Sequence, residues 1–334
     1  MIRAGVFRNL LLIIFWGALL SAGGSNAQTA ATGVGQAYPA RNIRVIIPGA
    51  AGDTCDIMLR LIGFKFAEKT GQSFIMDNRV GASGQLGLQL IAQAPPDGYT
   101  IGCGQGGNMV IIPLAYKKVA YDSFKDFAPI ALMASNFLAL AVNPNTPFKT
   151  TRELINYAKA NPGKLTFGTN GEGAFLHFAT ELFRKEAGFT YFHVPFKTAS
   201  IIVTDLIGGR IDAVMSAFIT VQPHAVSGRI RILGVAREKR APNYPDFPTI
   251  AETVPGYTSG GWFGAIAPAG MPKEMVALLN REMNAAMKMP DIREKAALVG
   301  LELHTEPPEF FAQTLRNDFE KWGKLASDIG FKPQ

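Results

Sequence analysis

Pro48-Gly49-Ala50-Ala51-Gly52-Asp53-Thr54-Cys55-Asp56 follows a short apolar run, Ile43-Arg44-Val45-Ile46-Ile47, and leads into a helical pattern over residues 57–69. A strand, a turn of small residues and a helix start leave backbone N–H groups unpaired at a positive helix end. Such a turn is the expected first contact for an anion. Asp53 and Asp56 lie three apart at that helix start. Two carboxylates this close repel as an acid–base pair but suit the capping of helix N–H groups.

The same alternation continues outward. Strands are expected over 73–77 and 99–103, with a helix over 85–94 and a Pro95-Pro96-Asp97-Gly98 turn between them. An apolar run over 136–142 stops at Asn143-Pro144-Asn145-Thr146-Pro147. A helix capped by Thr150 or Thr151 follows, with Glu153 near the capping-box position, and ends at Asn161-Pro162-Gly163. A second series has strands over 165–168, 191–195 and 213–217, and helices over 175–187 and 200–207. Strands over 232–236 and 262–267 precede a helical tail over 273–287, 290–299 and 309–327. Strand–helix alternation predicts an α/β fold of mostly parallel sheets flanked by helices. The tail reads as packing back on the first unit. The expected architecture is two lobes: 28–138 plus 263–334 as the first, and 139–262 as the second. Two crossovers, near 138–143 and 259–266, would join them around a ligand cleft.

Arg3 and Arg8 precede Leu10-Leu11-Leu12-Ile13-Ile14-Phe15-Trp16-Gly17-Ala18-Leu19-Leu20, and small residues end at Ser25-Asn26-Ala27. This reads as a secretory signal over 1–27. A retained anchor is the alternative, but the run falls short of the roughly 20 apolar residues a spanning helix needs. The remainder exports to the periplasm in this reading. The net charge is +7, with Lys and Arg scattered and no basic run interleaved with aromatics, so nucleic acid is a poor partner. Two cysteines, Cys55 and Cys103, follow predicted strand ends. In an oxidising compartment they form either a disulfide or two small buried thiols.

Three small-residue turns carry the chemistry. The first is 48–56. The second is Gly102-Cys103-Gly104-Gln105-Gly106-Gly107-Asn108, where glycine permits close backbone approach and Gln105 and Asn108 are the polar candidates. The third is Gly168-Thr169-Asn170-Gly171-Glu172-Gly173, ahead of the helix that carries His177. Its hydroxyl, amide and N–H groups are what a carboxylate requires. Phe175 and Phe218 are candidate ligand walls. Gly81-Ala82-Ser83-Gly84-Gln85-Leu86-Gly87 superficially suggests a nucleotide loop but lacks the G-x-G-x-x-G order. No phosphate loop, zinc helix or nucleophile elbow occurs. The four histidines are dispersed and read as structural. No metal, cofactor or catalytic residue is expected.

At these residues the chain resembles the periplasmic receptors of tripartite tricarboxylate transporters, often called the Bug family. The resemblance rests on Tyr38-Pro39, Pro48-x-x-x-Gly52-x-x-x-Asp56, Asp77-Asn78-Arg79-x-Gly81-Ala82-x-Gly84, Pro96-Asp97-Gly98-Tyr99-Thr100, and Tyr121-Asp122 with Lys125-Asp126-Phe127-Ala128-Pro129. It extends through Gly168-Thr169, His193-Val194-Pro195-Phe196-Lys197, Leu206-Ile207-Gly208-Gly209 and Trp262-Phe263-Gly264 to Lys321-Trp322. It implies a monomeric two-lobe binding protein, type II-like, that closes on a small organic carboxylate and serves a membrane permease. A sensor feeding a signalling protein would share the pocket; a secreted two-lobe enzyme would need a catalytic constellation that is not found. The resemblance places first-lobe contacts at Ala51, Gly52, Thr54 and Asp56. It places second-lobe contacts at Thr169, Asn170, Phe175, His177, Lys197 and Thr198, with Ser216 in a stretch that often carries an aspartate. Ala51 and Asp53 depart from the usual Pro and Gly of the first loop. A carboxylate at 53 would repel an anion unless it faced away or were paired. The missing aspartate near Ser216 argues against an amino acid ligand. Phe175, where a small hydroxyl residue is common, favours an aromatic or longer-chain carboxylate, and a dicarboxylate or aromatic acid is the expected ligand.

Overall fold

The computed structural model describes residues 38–196 and 199–334. The expected signal segment, and Lys197 and Thr198 among the expected contacts, lie outside the described residues. The chain runs β1 (Ile43–Ile47), α1 (Thr54–Thr70), β2 (Phe74–Asn78), α2 (Gln85–Ala92) and β3 (Thr100–Gln105), then a π-helical turn (Gly107–Ile111) into α3 (Ile112–Ala115). It continues as β4 (Phe127–Ser135), β5 (Leu138–Val142), α4 (Thr151–Ala160), β6 (Thr166–Thr169), α5 (Phe175–Ala187), β7 (Phe192–Pro195), α6 (Ala199–Ile207), β8 (Ala213–Ala217), α7 (Phe218–Val226) and β9 (Arg231–Val235). It closes with β10 (Trp262–Pro268), α8 (Lys273–Met287), α9 (Pro290–Leu298), β11 (Glu302–Leu303) and α10 (Pro308–Asp328).

Two sheets form, in the orders β11-β4-β10-β3-β1-β2 and β7-β6-β8-β5-β9. Both are mixed, where mostly parallel sheets were expected. β1 pairs with β2 and β3 in parallel, and β6 with β7 and β8. The strands that bring the chain across between sheets run the other way: β10 is antiparallel to β3 and β4, and β5 to β8 and β9. A strand entering a sheet from the other lobe has no crossover helix to reverse it, so it adds antiparallel. β1 illustrates the interior strands: Ile43, Val45, Ile46 and Ile47 are all fully buried, as a strand covered on both faces requires.

Asp53 caps α1 by accepting from the Asp56 N–H at 3.1 Å, which starts the helix at Thr54 rather than Ile57. Thr150 caps α4 through the Glu153 N–H, while the Glu153 carboxylate reaches the Lys149 N–H. Cys55, in the first turn of α1, is disulfide-bonded to Cys103 of β3, with Cα atoms 6.1 Å apart.

β4 and α7 were not anticipated. Pro129 sits inside β4, opposite Ile266, and Pro223 inside α7; proline normally argues against both elements. The chain leaves the first sheet at Asn136-Phe137 and returns over 236–261. The two passages lie side by side: the Asn136 N–H donates to Gly261 O at 2.9 Å, the Gly261 N–H to Asn136 Oδ1 at 2.8 Å, and the Leu138 N–H to Ser259 O at 3.1 Å. A Cβ on Gly260 would fall 2.1 Å from Asn136 O, so that approach requires glycine.

The tail packs on the first sheet, as Asn280 Nδ2 donating to Ile130 O at 2.8 Å illustrates. It also reaches the second: Phe178 of α5 meets Trp322 and Phe331 with ring centroids 6.4 and 5.2 Å apart, and Lys185 pairs with Asp328. Among the described residues no helix is long and apolar enough to cross a membrane.

Candidate functional site

A cavity of about 680 Å³ lies between the two sheets. β1 delivers Pro48 and the α1 cap delivers Asp53. The turn after β2 gives Val80 to Gly84, and the end of β3 gives Gln105 to Asn108. The crossovers contribute Asn136, Leu138 and Gly261 to Phe263, and the second sheet contributes Asn170, Phe175, Ser216, Ala217 and Thr220. Register explains the convergence. Phe263 stands opposite Gln105 in the β10–β3 pair, and Leu138 opposite Ala217 in the β5–β8 pair. Strand ends from both sheets therefore meet at the crossovers.

The lining combines two chemistries. Phe175, Leu138, Ile111, Trp262 and Phe263 supply its apolar part. Phe175 is braced edge-on by Trp322 at 5.7 Å, and the Trp262 indole N–H donates to Asp318 Oδ2 at 2.7 Å. Burial pushes the Asp318 carboxyl up and the Lys321 ammonium down. Apart from Asp53, the polar part is made of neutral groups. Asn108 is buried, its Oδ1 accepts from the Gln105 N–H at 2.9 Å, and its Nδ2 makes no protein hydrogen bond among the described residues. The side-chain polar atoms of Ser83, Asn170, Ser216 and Thr220 are likewise unengaged among the described residues. Neutral donors aimed into a half-enclosed cavity suit a carboxylate, which accepts and does not donate. Among the described residues no Lys, Arg or His lines this cavity.

Five expected contacts line it: Gln105, Asn108, Asn170, Phe175 and Ser216. Ala51, Gly52, Thr54, Asp56, Thr169 and His177 do not. Ala51 and Gly52 are exposed, and Thr54 is half-buried. Asp56 is buried and fully engaged: it accepts from the Gly52 N–H at 2.9 Å, Arg60 Nε at 2.8 Å and Asn78 Nδ2 at 3.2 Å. It holds the first turn's shape from beneath. Thr169 is buried against His193 Nε2 at 2.6 Å, and His177 accepts the Gly173 N–H through Nδ1 at 3.2 Å. The two imidazole rings stack with centroids 4.5 Å apart. Burial, together with the neighbouring His193, pushes His177 below its ordinary range, so this layer is a neutral support for the third turn. Phe218, expected as a wall, is buried in the second core against Phe137, Tyr244 and Phe247.

The 81–87 turn lacks a nucleotide loop's order and is not among the expected contacts, yet Gly81 to Gly84 line the cavity. Ala82 and Ser83 sit there at φ 44° and 55°. Left-handed non-glycine residues cost of order 1 kcal/mol each and cluster at ligand sites. Glycine at both ends of the turn was the available signal.

Burial raises the Asp56 carboxyl, but the Arg60 pair, the Gly52 N–H and Asn78 outweigh it and hold it below the usual range. Its stabilisation is therefore complete above the ordinary aspartate value of about 3.9 and is lost as pH falls through the lower folded value. Asp56→Ala is expected to cost about 2 kcal/mol at pH 7 by stranding the Gly52 and Asn78 donors. The gap in urea midpoint to the unaltered protein should narrow as pH falls below about 3.9; a constant gap would show that the carboxylate charge is irrelevant.

Two mixed α/β sheets joined by paired crossovers, with a polar-sided cavity where their strand ends meet, define a two-lobe solute-binding protein. Residues 58–331 match the model of the tripartite tricarboxylate transporter family receptor. A protein from the tcbD-tcbE intergenic region of Pseudomonas sp. (strain P51) is 35% identical over 291 residues, 86% of each chain. Among solved structures, R. palustris Rpa4515 with adipate is 33% identical with a TM-score of 0.79, covering 89% of this chain and 100% of its own. The periplasmic binding protein BugD is 28% identical with a TM-score of 0.75, covering 89% and 100%. The chain belongs to the tripartite tricarboxylate transporter receptor family. It is a binding protein and not an enzyme.

Proposed function

We propose that this receptor works in the periplasm, captures a small organic carboxylate between its lobes, and delivers it to a tripartite tricarboxylate-type permease. The lobes are taken as 28–138 plus 263–334 and 139–262, in a monomer. The observation that carries this reading is the cavity itself: unengaged neutral donors together with aromatic side chains in its lining, at the meeting of two sheets. Asn108, Asn170 and Ser216 hold the carboxylate head, and Phe175 and Trp262 flank the carbon chain or ring. Adipate in the structure of Rpa4515 supports an organic acid of similar length. The family's receptor role supports a permease partner, and its likeness to a periplasmic binding protein supports the location. Closure excludes water and strengthens each donor; the ligand drives closure only by its preference for the closed form.

Thermal-shift screening against aliphatic and aromatic carboxylates tests this. An acid present at 100 times its Kd stabilises by about 2.7 kcal/mol, which for a chain this size raises the melting point by about 5–8 °C. Asn108→Ala should abolish that rise without lowering the unliganded melting point by a comparable amount. A screen in which no acid shifts the protein would end the proposal.

A further inference from the structure

The one charged side chain on the cavity wall is an acid. Asp53 lines it together with Pro48, Gly84 and Asn108, and among the described residues no cation lines it with them. The carboxylate's hydrogen bonds come from the main chain at the α1 start, chiefly the Asp56 N–H at 3.1 Å, and no ion pair reaches it among the described residues. Oδ2 lies over Gly49, where a Cβ would fall 1.8 Å from it, so the glycine gives the carboxylate room to lie in the turn. An acceptor with spare lone pairs at the edge of a binding cavity has a definite chemical demand. It accepts a hydrogen bond from a hydroxyl, an amide or an ammonium, and it repels a second carboxylate brought beside it.

We propose that Asp53 determines which acids this receptor accepts: the ligand is a carboxylate whose other end carries a hydrogen-bond donor, and an acid charged at both ends is discriminated against. The proposal rests on the carboxylate-receptor reading and refines its substrate class. The single carboxylate of the ligand goes to the neutral donors at Asn108, Asn170 and Ser216, while the donor end meets Asp53. Partial burial, opposed by the Asp56 N–H, lifts the Asp53 carboxyl above its ordinary range, and a half-buried acceptor left without its donor is penalised. A site that reads a hydrogen-bonding group in this way rejects the analogue lacking it more strongly than an apolar pocket rejects a change of size.

Matched ligand pairs separate the two demands. Succinate, glutarate and adipate are each titrated calorimetrically beside their own half-amides, which keep the length and one carboxylate but replace the other by a donor. The proteins are the unaltered chain, Asp53→Asn and Asp53→Ser. Asparagine and serine are both good helix caps, so α1 keeps its start, and circular dichroism checks that it does. The unaltered protein should bind the better half-amide at least about tenfold more tightly than its diacid. Asp53→Asn should bring the two within about threefold, mainly by tightening the diacid. Equal or tighter binding of the diacid by the unaltered protein overturns the assignment, as does a preference that survives both substitutions. In those cases the carboxylate-receptor reading stands. Failure of every acid and half-amide to bind any of the three proteins overturns both.

Discussion

Replacing Cys55 and Cys103 together by serine is expected to lower the melting point by about 6–10 °C and to weaken ligand binding in the same variant. The bond closes a loop with a sequence separation of 48. In the chain-entropy account, cross-linking a loop of that length removes about 4 kcal/mol of freedom from the unfolded state. For a chain of this size each kcal/mol moves the midpoint by roughly 2 °C. The effect on binding follows from what the bond joins. Cys55 lies two residues past Asp53, and Cys103 two residues before Gln105, whose Nε2 donates to Cys55 Sγ at 3.4 Å. The bridge thus ties the α1 start to the β3 end, two walls of the cavity supplied by segments far apart in the chain. Calorimetry on oxidised and reduced protein, with the double serine variant as reference, checks both parts. Unchanged stability on reduction would contradict the first, and unchanged affinity the second.

Trp322→Ala is the other large expectation. Trp322 is 2% exposed and packs edge-on against Phe175 and Phe178 from α10. Removing a buried indole costs about 3–5 kcal/mol, because the lost transfer energy is joined by the cavity left behind. The particular interest is Phe175, which loses the ring that braces it at 5.7 Å. Ligand affinity should fall by about tenfold, as an unbraced wall must be ordered on binding. Trp322→Phe should recover most of both losses. An alanine variant that is destabilised but binds normally would show that Phe175 is held by other contacts or is not a wall.

Much of the fold was legible because its signals were local. The bounds of α5 and α8 were read to the residue, since an apolar stripe at helical spacing ended at a glycine in one case and at a short break in the other. β4 and α7 were not, because a proline inside each contradicts the local rule, and only pairing with β10 and packing beneath β9 override it. Sheet direction was also out of reach. Whether β5 and β10 run with or against their neighbours depends on where the chain enters each sheet, and spacing along the chain is silent on that.

The candidate cavity was legible by turn and less so by residue. All three glycine-rich turns lead to the cavity, and Gln105, Asn108, Asn170, Phe175 and Ser216 line it. Asp56, Thr169 and His177 are polar residues that hold these turns up from behind. A polar side chain aimed inwards as a strut and one aimed at a ligand share the same sequence signature. Burial and partners tell them apart, and both are properties of the folded chain. Asp53 shows the converse. Its capping role was readable from its place before α1, while its presence on the cavity wall depends on how that cap is turned.

The passages between the lobes are laced to each other through Asn136 and Gly261, with Gly260 too close for any side chain. Two ribbons joined along their length bend as one and resist torsion. For the closure proposed above, the expected motion is therefore a single rocking coordinate, like a book on its spine. Successive captures would then end in the same outline, and a membrane partner could read that outline without touching the cargo.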